Sequence, residues 1–440
     1  MKKKLNPGYI IKRATQKFNE SLEENLLPLP IVTNTAAALL RLKRNVLLRQ
    51  SLDSSVLILP PAPPGSLGDE ALVSGAIDFF KRAGIQRIGV ISYKPSLRWK
   101  NLDILSNDIE LHHHFLGGYL HAPNALLSFL DAVSQYQHFY CIGADVMDGY
   151  YNEEDSLQRL KFISLAIDMG AKADVLGFSF NDQPKPKIIE ALRNLSPSVQ
   201  LCARDPVSYR RLVERLDRPV KLVADLAFLL DATKESEIVR NVSNWIGQQQ
   251  AEGRVVLGIN ANYKLIEKLE IPEIERLVQI YISTLTELYS QALPLSFVLI
   301  PHDFRNIKGK NSDVVLANAI WEELSPEIQS HCLQVPTPCS AAEIKGIAGN
   351  LDLVLSGRMH LAIASLGQGT PAACITYQGK FEGLFEHFEL EGMAIEPEQA
   401  LQPGNLVPFL MPLIEKRDAL RSHVREKLPQ VQKLARANFE

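Results

Sequence analysis

The chain has 440 residues, of which 46% are hydrophobic and 22% charged, and its formal net charge is −3 at pH 7. This length predicts two domains rather than one. The composition is that of a globular protein, and the small negative charge argues against general nucleic-acid binding, which usually needs a basic domain. Its five cysteines are scattered without a CxxC pair, mostly in or beside apolar strands. This pattern favours buried thiols in a reducing compartment over disulfides or a zinc site.

The first 50 residues are strongly basic compared with the rest of the chain. They contain ten Lys or Arg and three Glu, a surplus of seven positive charges. Such an extension can lie on an anionic membrane surface, or it can form a solvated arm or a strap over the domain. The start, Met1 to Lys4, lacks the apolar region of a signal peptide, and no run of about 18 apolar residues occurs in the chain. We expect a cytoplasmic protein, with peripheral contact at the inner face of the plasma membrane as one open interpretation.

In the first half of the chain, short apolar runs alternate with helical patterns, which is typical of a parallel sheet covered on both faces. Strands are predicted at Val56–Leu59, Arg87–Ile91, His138–Ile142, Asp174–Ser179 and Val199–Ala203. Helices are predicted at Asp69–Ala83, Asn124–Ser134, Ser156–Met169 and Pro206–Leu216. The apolar segment Val220–Asp231 closes this half, and the polar segment Thr233–Arg254 is predicted to be a helix crossing to the second domain.

The second half repeats this plan. Strands are predicted at Val255–Ile259, Phe297–Ile300, His331–Val335, Leu353–Ser356 and Ala372–Thr376. Helices are predicted at Ile271–Ser290, Ser312–Leu324 and Ala341–Ala348, and one or two amphipathic helices after about Leu406. The predicted fold is α/β with two Rossmann-like domains and a central cleft, at residues 51–240 and 241–395, followed by a helical tail at 396–440. Ligands of such folds bind at the carboxyl ends of the strands and between domains.

The residues that directly follow each strand are therefore the candidates for a site. After the first strand, Gly65 and Gly68 permit a tight turn and close backbone approach to a ligand, and Asp69 is predicted to cap the next helix. After the strand at His138, Asp145 and Asp148 are suited to a cation or to sugar hydroxyls, or they form a solvated turn.

Two more strand ends carry polar residues. After Val199–Ala203, Asp205 and Pro206 fit the N-cap and first position of a helix, which leaves Arg204 without a structural explanation. His302 follows the strand at Phe297.

The segment from Asp352 to Lys380 is the most informative one. It reads as a strand, a Ser-Gly turn, and then Arg358 and His360 at the start of a helix. Helix N-termini attract anions, and a guanidinium and an imidazole strengthen that attraction, so an anion site is predicted here. The alternative is structural: Arg358 pairs with a neighbouring carboxylate and His360 fills a helix face. Lys380, after the last strand, is either a phosphate ligand or a surface lysine.

Together these elements resemble the polysaccharide pyruvyl transferase family. The resemblance rests on G-S-L-G-D-E (65–70), A-R-D-P-V-S (203–208), I-P-H (300–302), S-G-R-M-H (356–360) and Y-Q-G-K (377–380), and it runs from about Val56 to about His387. It implies a GT-B-like pair of Rossmann domains. It also implies transfer of the enolpyruvyl group of phosphoenolpyruvate (PEP) to two hydroxyls of a sugar, with PEP near Arg204, Arg358 and His360.

The residue types suit this chemistry. PEP carries a phosphate and a carboxylate, and arginine binds both kinds of oxyanion bidentately. We expect Arg204 and Arg358 to clamp PEP and His360 to act as general acid and base. His302 and Asp69 are candidates for orienting or deprotonating the acceptor. Gly65, Gly68 and Lys380 complete the predicted substrate-binding set.

Other interpretations remain open. A GT-B-type glycosyltransferase that uses a nucleotide sugar would have the same architecture, and a non-catalytic member could act as a scaffold in exopolysaccharide assembly. The expected partners are PEP and a sugar or lipid-linked oligosaccharide acceptor, without nucleic acid, and no cofactor or metal is required. His112, His113 and His114 alternate sides if they form a strand, so they would not converge on a metal.

Overall fold

The computed structural model describes residues 55–92, 109–113, 123–265, 274–305, 312–376 and 380–440. The basic segment 1–50, His114 and residues 377–379 lie outside this part of the chain, so the expectations for them stay predictions. Among the described residues, none of the helices combines the length and the apolar character that a membrane span would need.

The first sheet has seven parallel strands in the order β3-β2-β1-β4-β5-β6-β7. The strands are β1 Ser55–Leu59, β2 Arg87–Ser92, β3 Ile109–His113, β4 His138–Ala144, β5 Lys172–Phe178, β6 Leu201–Ala203 and β7 Lys221–Leu222. The helices between them are α1 Leu67–Arg82, α2 Pro123–Val133, α3 Glu153–Asp168, α4 Pro186–Arg193 and α5 Pro206–Arg215, followed by a 3₁₀ helix at Leu226–Leu229. The inner strand β1 is buried along its whole length because helices cover both faces of the sheet.

The second sheet has six parallel strands in the order β10-β9-β8-β11-β12-β13. The strands are β8 Val255–Asn260, β9 Leu295–Leu299, β10 Cys332–Gln334, β11 Leu353–Ser356, β12 Ala372–Ile375 and β13 Ala394–Ile395. Helix α6 Glu237–Ala251 leads into this sheet, and α7 Ile274–Tyr289, α8 Asp313–Glu323, α9 Pro326–Gln329, α10 Ala341–Ala348, α11 Met359–Leu366 and α12 Phe381–His387 follow. The tail contains α13 Pro397–Ala400, α14 Leu406–Glu415, α15 Arg417–Arg436 and a 3₁₀ turn at Ala437–Phe439.

The predicted fold, two Rossmann-like α/β domains in a GT-B-like arrangement, is confirmed by these two parallel sheets. The segment Val220–Asp231 differs in detail from a simple closing strand. Only two of its residues form β7, and the chain then turns into the 3₁₀ helix at Leu226–Leu229. Asp225 causes this turn, because its side chain accepts a hydrogen bond from the backbone N–H of Ala227 at 2.9 Å.

The start of α1 also differs from the prediction. Ser66, and not Asp69, is the N-cap, because the Ser66 side chain accepts a hydrogen bond from the backbone N–H of Asp69. The chain enters the helix earlier because the backbone N–H of Leu67 donates to the carbonyl of His302 in the second domain. Asp69 thus lies in the first turn of the helix, where the positive end of the helix dipole stabilises a carboxylate. Asp205 and Pro206 form the predicted cap of α5.

Buried polar contacts join the two domains. The ammonium of Lys345 on α10 donates to the carbonyls of Ala227, Phe228 and Leu230 at 2.7 to 3.2 Å. A carboxylate oxygen of Glu70 on α1 accepts from the backbone N–H of Ala341 at 2.8 Å. These bonds satisfy groups that would otherwise be buried without partners, so they fix the position of one domain against the other.

The C-terminus returns to the first sheet. The side chain of Asn438 accepts from the backbone N–H of Gly177 and donates to the carbonyl of Ala224, at 2.8 and 2.9 Å. The ring of Phe439 stacks on that of Phe79 with 4.2 Å between centroids. All five cysteines are free and buried, as the sequence indicated.

Candidate active site

A cavity of about 250 Å³ lies between the domains, at the carboxyl ends of both sets of strands. It adjoins the two points where strand order reverses, between β1 and β4 in one sheet and between β8 and β11 in the other. Such switch points are where open α/β sheets bind ligands. The lining residues are Ala62, Ser66, Gly68, Asp69, Asp145, Val146, Tyr151, Arg204, Lys264, His302, Arg305, Arg358, Met359, His360 and Lys380.

Arg358 occupies the N-cap position of α11, directly after β11. Its guanidinium binds the Asp313 carboxylate through two hydrogen bonds of 3.1 and 2.7 Å, and it lies 3.3 Å from Oδ2 of Asp303. The side chain of Asp313 is fully buried and also accepts from the backbone N–H of His302. Arg358 is therefore held in one orientation at the cavity wall, which reduces the entropy that it loses when it binds a ligand.

The ring of His360 lies between Gly68 and Asp225. A Cβ placed on Gly68 would come within 2.7 Å of Cγ of His360, so only glycine leaves room for this ring. On its other side, Nε2 of His360 lies 3.7 Å from Oδ2 of Asp225, too far for a hydrogen bond. Nε2 is buried and has no hydrogen-bond partner within the described residues. A buried polar atom without a partner is costly, and it marks His360 as a group that a ligand can satisfy.

Asp225 lies between His360 and Arg204. Its Oδ2 accepts a hydrogen bond from Nη1 of Arg204 at 3.0 Å, and the side chains of Asp225 and Arg204 are almost completely buried. Burial alone would raise the pKa of Asp225, but His360, Arg204 and the N–H of Ala227 lower it to about 2. Asp225 is thus an anion at neutral pH. It orients the guanidinium of Arg204, whose Nε donates to the hydroxyl of Ser179 at 2.8 Å.

A second charged group crosses the cleft. Nζ of Lys380 lies 2.6 Å from Oδ2 of Asp145, which follows β4 in the first domain, and 3.1 Å from the hydroxyl of Tyr151. Burial opposes ionisation of Asp145, but Lys380, Arg204 and Lys264 outweigh it and hold its pKa far below the usual value. Lys380 is therefore a buried partner of a carboxylate and not a surface lysine.

Lys264 follows β8 and lines the same wall. Its Nζ lies 4.7 Å from the centre of the Tyr151 ring, a distance typical of a cation–π contact. It forms no salt bridge with any side chain in the described part of the chain. Burial is the main cause that lowers its pKa. Lys264 is thus the cation of this wall most readily available to an incoming anion.

Arg305, Asp69 and His302 complete the cavity. Arg305 binds Asp303 at 2.7 Å and lies 3.7 Å from Asp69, whose pKa is raised by burial. Burial, together with the charges of His360 and Arg358, lowers the pKa of His302 to about 3. His302 is therefore neutral at pH 7 and is suited to take part in a hydrogen bond, but not to attract an anion or to take up a proton.

Of the eight predicted site residues, the structure brings seven to the cavity wall: Gly68, Asp69, Arg204, His302, Arg358, His360 and Lys380. Gly65 is set back from it. Its φ of +119° is one that glycine adopts readily, and a Cβ there would come within 2.6 Å of Cγ of Arg305.

The residues missed by the sequence reasoning are Lys264, Arg305, Asp225 and Asp313. The first three follow β8, β9 and β7, so the rule that selected the other candidates would have found them if applied to every strand end.

Metal-ligating side chains do not cluster in threes anywhere in the described residues. His112 and His113 form the end of β3, and the positions of their side chains lie outside the described part of the structure.

The family model for polysaccharide pyruvyl transferase matches residues 67–379. This chain belongs to the polysaccharide pyruvyl transferase family. The match begins at the first residue of α1 and ends beside α12, so it includes twelve of the fifteen residues that line the cavity, all but Ala62, Ser66 and Lys380. No curated protein gave a significant sequence match.

Three solved structures with a similar fold share little sequence with this polysaccharide pyruvyl transferase family member. One is S. aureus MnaA with UDP, at 9% identity and a TM-score of 0.58, covering 85% of this chain and 91% of that one. Another is a putative UDP-N-acetylglucosamine 2-epimerase from Listeria monocytogenes, at 9% identity and a TM-score of 0.55, covering 89% of this chain and 97% of that one. Anabaena Alr3699/HepE with UDP-glucose has 11% identity and a TM-score of 0.52, covering 87% and 98%. These similarities support the GT-B-like fold alone.

Proposed function

We propose that this protein transfers the enolpyruvyl group of PEP to two hydroxyls of a sugar and forms a pyruvate ketal in cell-surface glycan synthesis. The proposal combines membership of the family with the charge of the cavity. Its main support is that five cations line a small space against two carboxylates. The cations are Arg204, Lys264, Arg305, Arg358 and Lys380. PEP has two anionic groups within one small molecule, and it matches such a site.

The size of the cavity favours a small donor. Sites for larger ligands enclose about 300 to 1,000 Å³, whereas this cavity has about 250 Å³. A nucleotide sugar would need more volume and an apolar surface for its base. Three carboxylates behind the wall, Asp225, Asp303 and Asp313, hold the arginines in place, so the positive groups are oriented before the donor binds.

The reaction conserves atoms and charge with this set of groups. A proton adds to the methylene carbon of PEP, and a sugar hydroxyl attacks the resulting cationic carbon C2. The C2–O bond to phosphate then breaks, and the second hydroxyl closes the ketal. Of the two hydroxyl protons, one replaces the proton given to the methylene group and the other leaves with phosphate.

We assign His360 the role of general acid and base, because it is the imidazole that lies among the cations with an unsatisfied nitrogen. Arg358 and Lys264 would bind the anionic groups of PEP and stabilise the departing phosphate. Arg204, held in place by its pair with Asp225, would present its guanidinium at the base of the cavity. Asp69, whose pKa is raised by burial, would deprotonate the acceptor, and neutral His302 would orient it. The acceptor is a sugar or a lipid-linked oligosaccharide.

Acceptor-dependent release of phosphate from PEP tests this function. Purified protein is incubated with PEP and a panel of sugar acceptors, and the products are examined by mass spectrometry for an added pyruvate ketal. Phosphate release with a ketal product is the expected result. If UDP-sugars are consumed instead and PEP is not, the protein is a glycosyltransferase on the same fold.

A further inference from the structure

Two tyrosines at the edge of the cavity are exposed to an unusual degree. Only four large hydrophobic side chains in the described residues are strongly exposed: Tyr150, Tyr151, Val213 and Val315. The two tyrosines are adjacent, with exposed fractions of 56% and 43%, and Tyr151 also lines the cavity. Exposed aromatic surface beside a polar site is typical of a surface that contacts a ligand.

The two rings have different surroundings. The Tyr151 hydroxyl lies 3.1 Å from both Asp145 and Lys380, and Nζ of Lys264 and of Lys380 lie 4.7 and 4.9 Å from its ring centre. Tyr151 is thus already engaged in the charged wall. Tyr150 contacts the Tyr151 ring edge-to-face, with 5.3 Å between centroids and 89° between planes. The hydroxyl of Tyr150 has no hydrogen-bond partner in the described residues. The outer face of the exposed Tyr150 ring is therefore available to a ligand.

The loop that carries Tyr150 is held by buried hydrogen bonds. Asp148 is only 2% exposed, and its carboxylate accepts from the backbone N–H of Tyr150 at 3.0 Å and of Asn181 at 3.2 Å. Gly149 has a φ of +78°, which other residues adopt at a cost. The ring is therefore presented on a backbone that need not be ordered when a ligand binds, and tyrosine itself has few side-chain rotations to lose.

We infer that Tyr150 is the stacking platform for the pyranose ring of the acceptor, and that Tyr151 separates this subsite from the PEP cavity. This inference rests on the proposed function. The apolar C–H face of a pyranose would cover the ring of Tyr150, while the hydroxyl groups at its edge would point toward Asp145 and the donor. The position explains why an aromatic side chain remains exposed beside a site for two small anionic groups.

Saturation-transfer NMR tests the inference without knowledge of the natural acceptor. The probes are the methyl glycosides of glucose, galactose, mannose and N-acetylglucosamine. We expect transfer to the ring C–H protons of at least one probe with wild type and with Tyr150→Phe. We expect at least a fivefold loss with Tyr150→Ala and with Tyr150→Leu, because Leu keeps the apolar character but not the flat face. Absence of transfer in wild type, or equal transfer in Tyr150→Ala, would overturn it.

Two measurements separate this inference from the proposed function. PEP affinity, measured by calorimetry, should be the same in Tyr150→Ala and wild type, because the ring lies outside the donor cavity. If wild type binds the sugars through Tyr150 but does not bind PEP, the proposed function fails and the sugar subsite stands.

If UDP gives the Tyr150-dependent signal and the methyl glycosides do not, the platform binds a nucleobase and the inference is wrong. Unchanged thermal stability of Tyr150→Ala is the control for folding.

Discussion

His360 lies in the space left by the missing side chain of Gly68. The two residues belong to different domains, and a Cβ on Gly68 would come within 2.7 Å of Cγ of the histidine. The sequence of the glycine-rich loop after β1 predicts a close approach of its backbone to a ligand. In the structure, Gly68 instead makes room for the imidazole proposed to act in catalysis.

Substitution of Gly68 by alanine should lower turnover without unfolding the protein. The methyl group would force the ring of His360 out of its position beside Gly68, whereas alanine is the better residue in a helix by roughly 1 kcal/mol. We expect at least a tenfold loss in kcat, with the thermal midpoint kept. Gly247→Ala is a matched control, because a Cβ at this position in helix α6 meets no atom within 4 Å. Full activity of Gly68→Ala would show that the position of His360 is not critical.

Loss of the imidazole itself should separate donor binding from chemistry. His360→Ala removes the proposed acid and base but leaves Arg358 with its carboxylate partners. We expect PEP affinity within a few-fold of wild type and kcat lower by about 10² to 10⁴. Calorimetry and phosphate release measure the two effects. An unchanged rate would assign proton transfer to another group, with Asp69 the next candidate.

Replacing Asp225 by asparagine should destabilise the protein and slow the reaction. The neutral side chain would leave the buried guanidinium of Arg204 without its counter-charge, a loss of about 3 kcal/mol. The folded-state pKa of Asp225 is about 2 and its ordinary value is 3.8, so the stability that it contributes is complete above that range and is lost only as the pH falls through about 2. The stability difference between wild type and Asp225→Asn should therefore be constant between pH 5 and 8.

Chemical denaturation at several pH values measures this difference. Asp231→Asn is the control, because Asp231 forms an exposed ion pair with Arg82, and such pairs contribute below about 1 kcal/mol. Equal effects of the two substitutions would contradict a structural role for the buried pair.

The stability contributed by neutral His302 should be lost in acid, as for Asp225, but this loss should begin at a higher pH. Its pKa is about 3 in the folded protein and 6.5 ordinarily, so the unfolded chain binds a proton between these values and the folded chain does not. Wild type should lose stability as the pH falls below 6.5, by up to about 1.4 kcal/mol per unit. His302→Gln removes this loss, so the gap between the variants should narrow by about 2 kcal/mol from pH 6.5 to pH 5. Parallel stability curves would show that His302 is protonated in the folded state.

The contact between Lys345 and the 3₁₀ helix should be important for the association of the domains. Lys345→Met keeps the length of the side chain but leaves three buried carbonyls without their donor. We expect a loss of several kcal/mol, since each unsatisfied group costs about 1 to 3 kcal/mol. Chemical denaturation measures this loss in the free energy of unfolding. Lys161→Met, at an exposed position on α3, is the control. A loss no larger than that of the control would show that the ammonium is not needed.

The strands and the residues at their ends could be predicted because they depend on local pattern. The short apolar run at Val56–Leu59 and the loop after it needed no knowledge of the rest of the chain. The partners of the charged residues could not be predicted in this way. Arg204 pairs with Asp225, 21 residues later, and Lys380 with Asp145, 235 residues earlier. Such pairs form only when the strand order and the packing of the domains bring the residues together.

The helix cap at Ser66 illustrates the same limit. Both Ser66 and Asp69 are good capping residues by type. The choice was decided by a hydrogen bond from Leu67 to the carbonyl of His302 in the other domain, which local sequence does not contain.

Binding of PEP by wild type and Arg358→Ala, measured by calorimetry, tests the proposed function most directly. Two variants are the controls for folding and for loss of charge. Arg358→Lys keeps a charge beside Asp303 and Asp313, and Arg210→Ala removes an exposed arginine outside the cavity. We predict that wild type and Arg210→Ala bind PEP alike and that Arg358→Ala binds it at least a hundredfold more weakly. No binding by wild type, or normal affinity in a folded Arg358→Ala protein, would contradict a PEP site in this cavity.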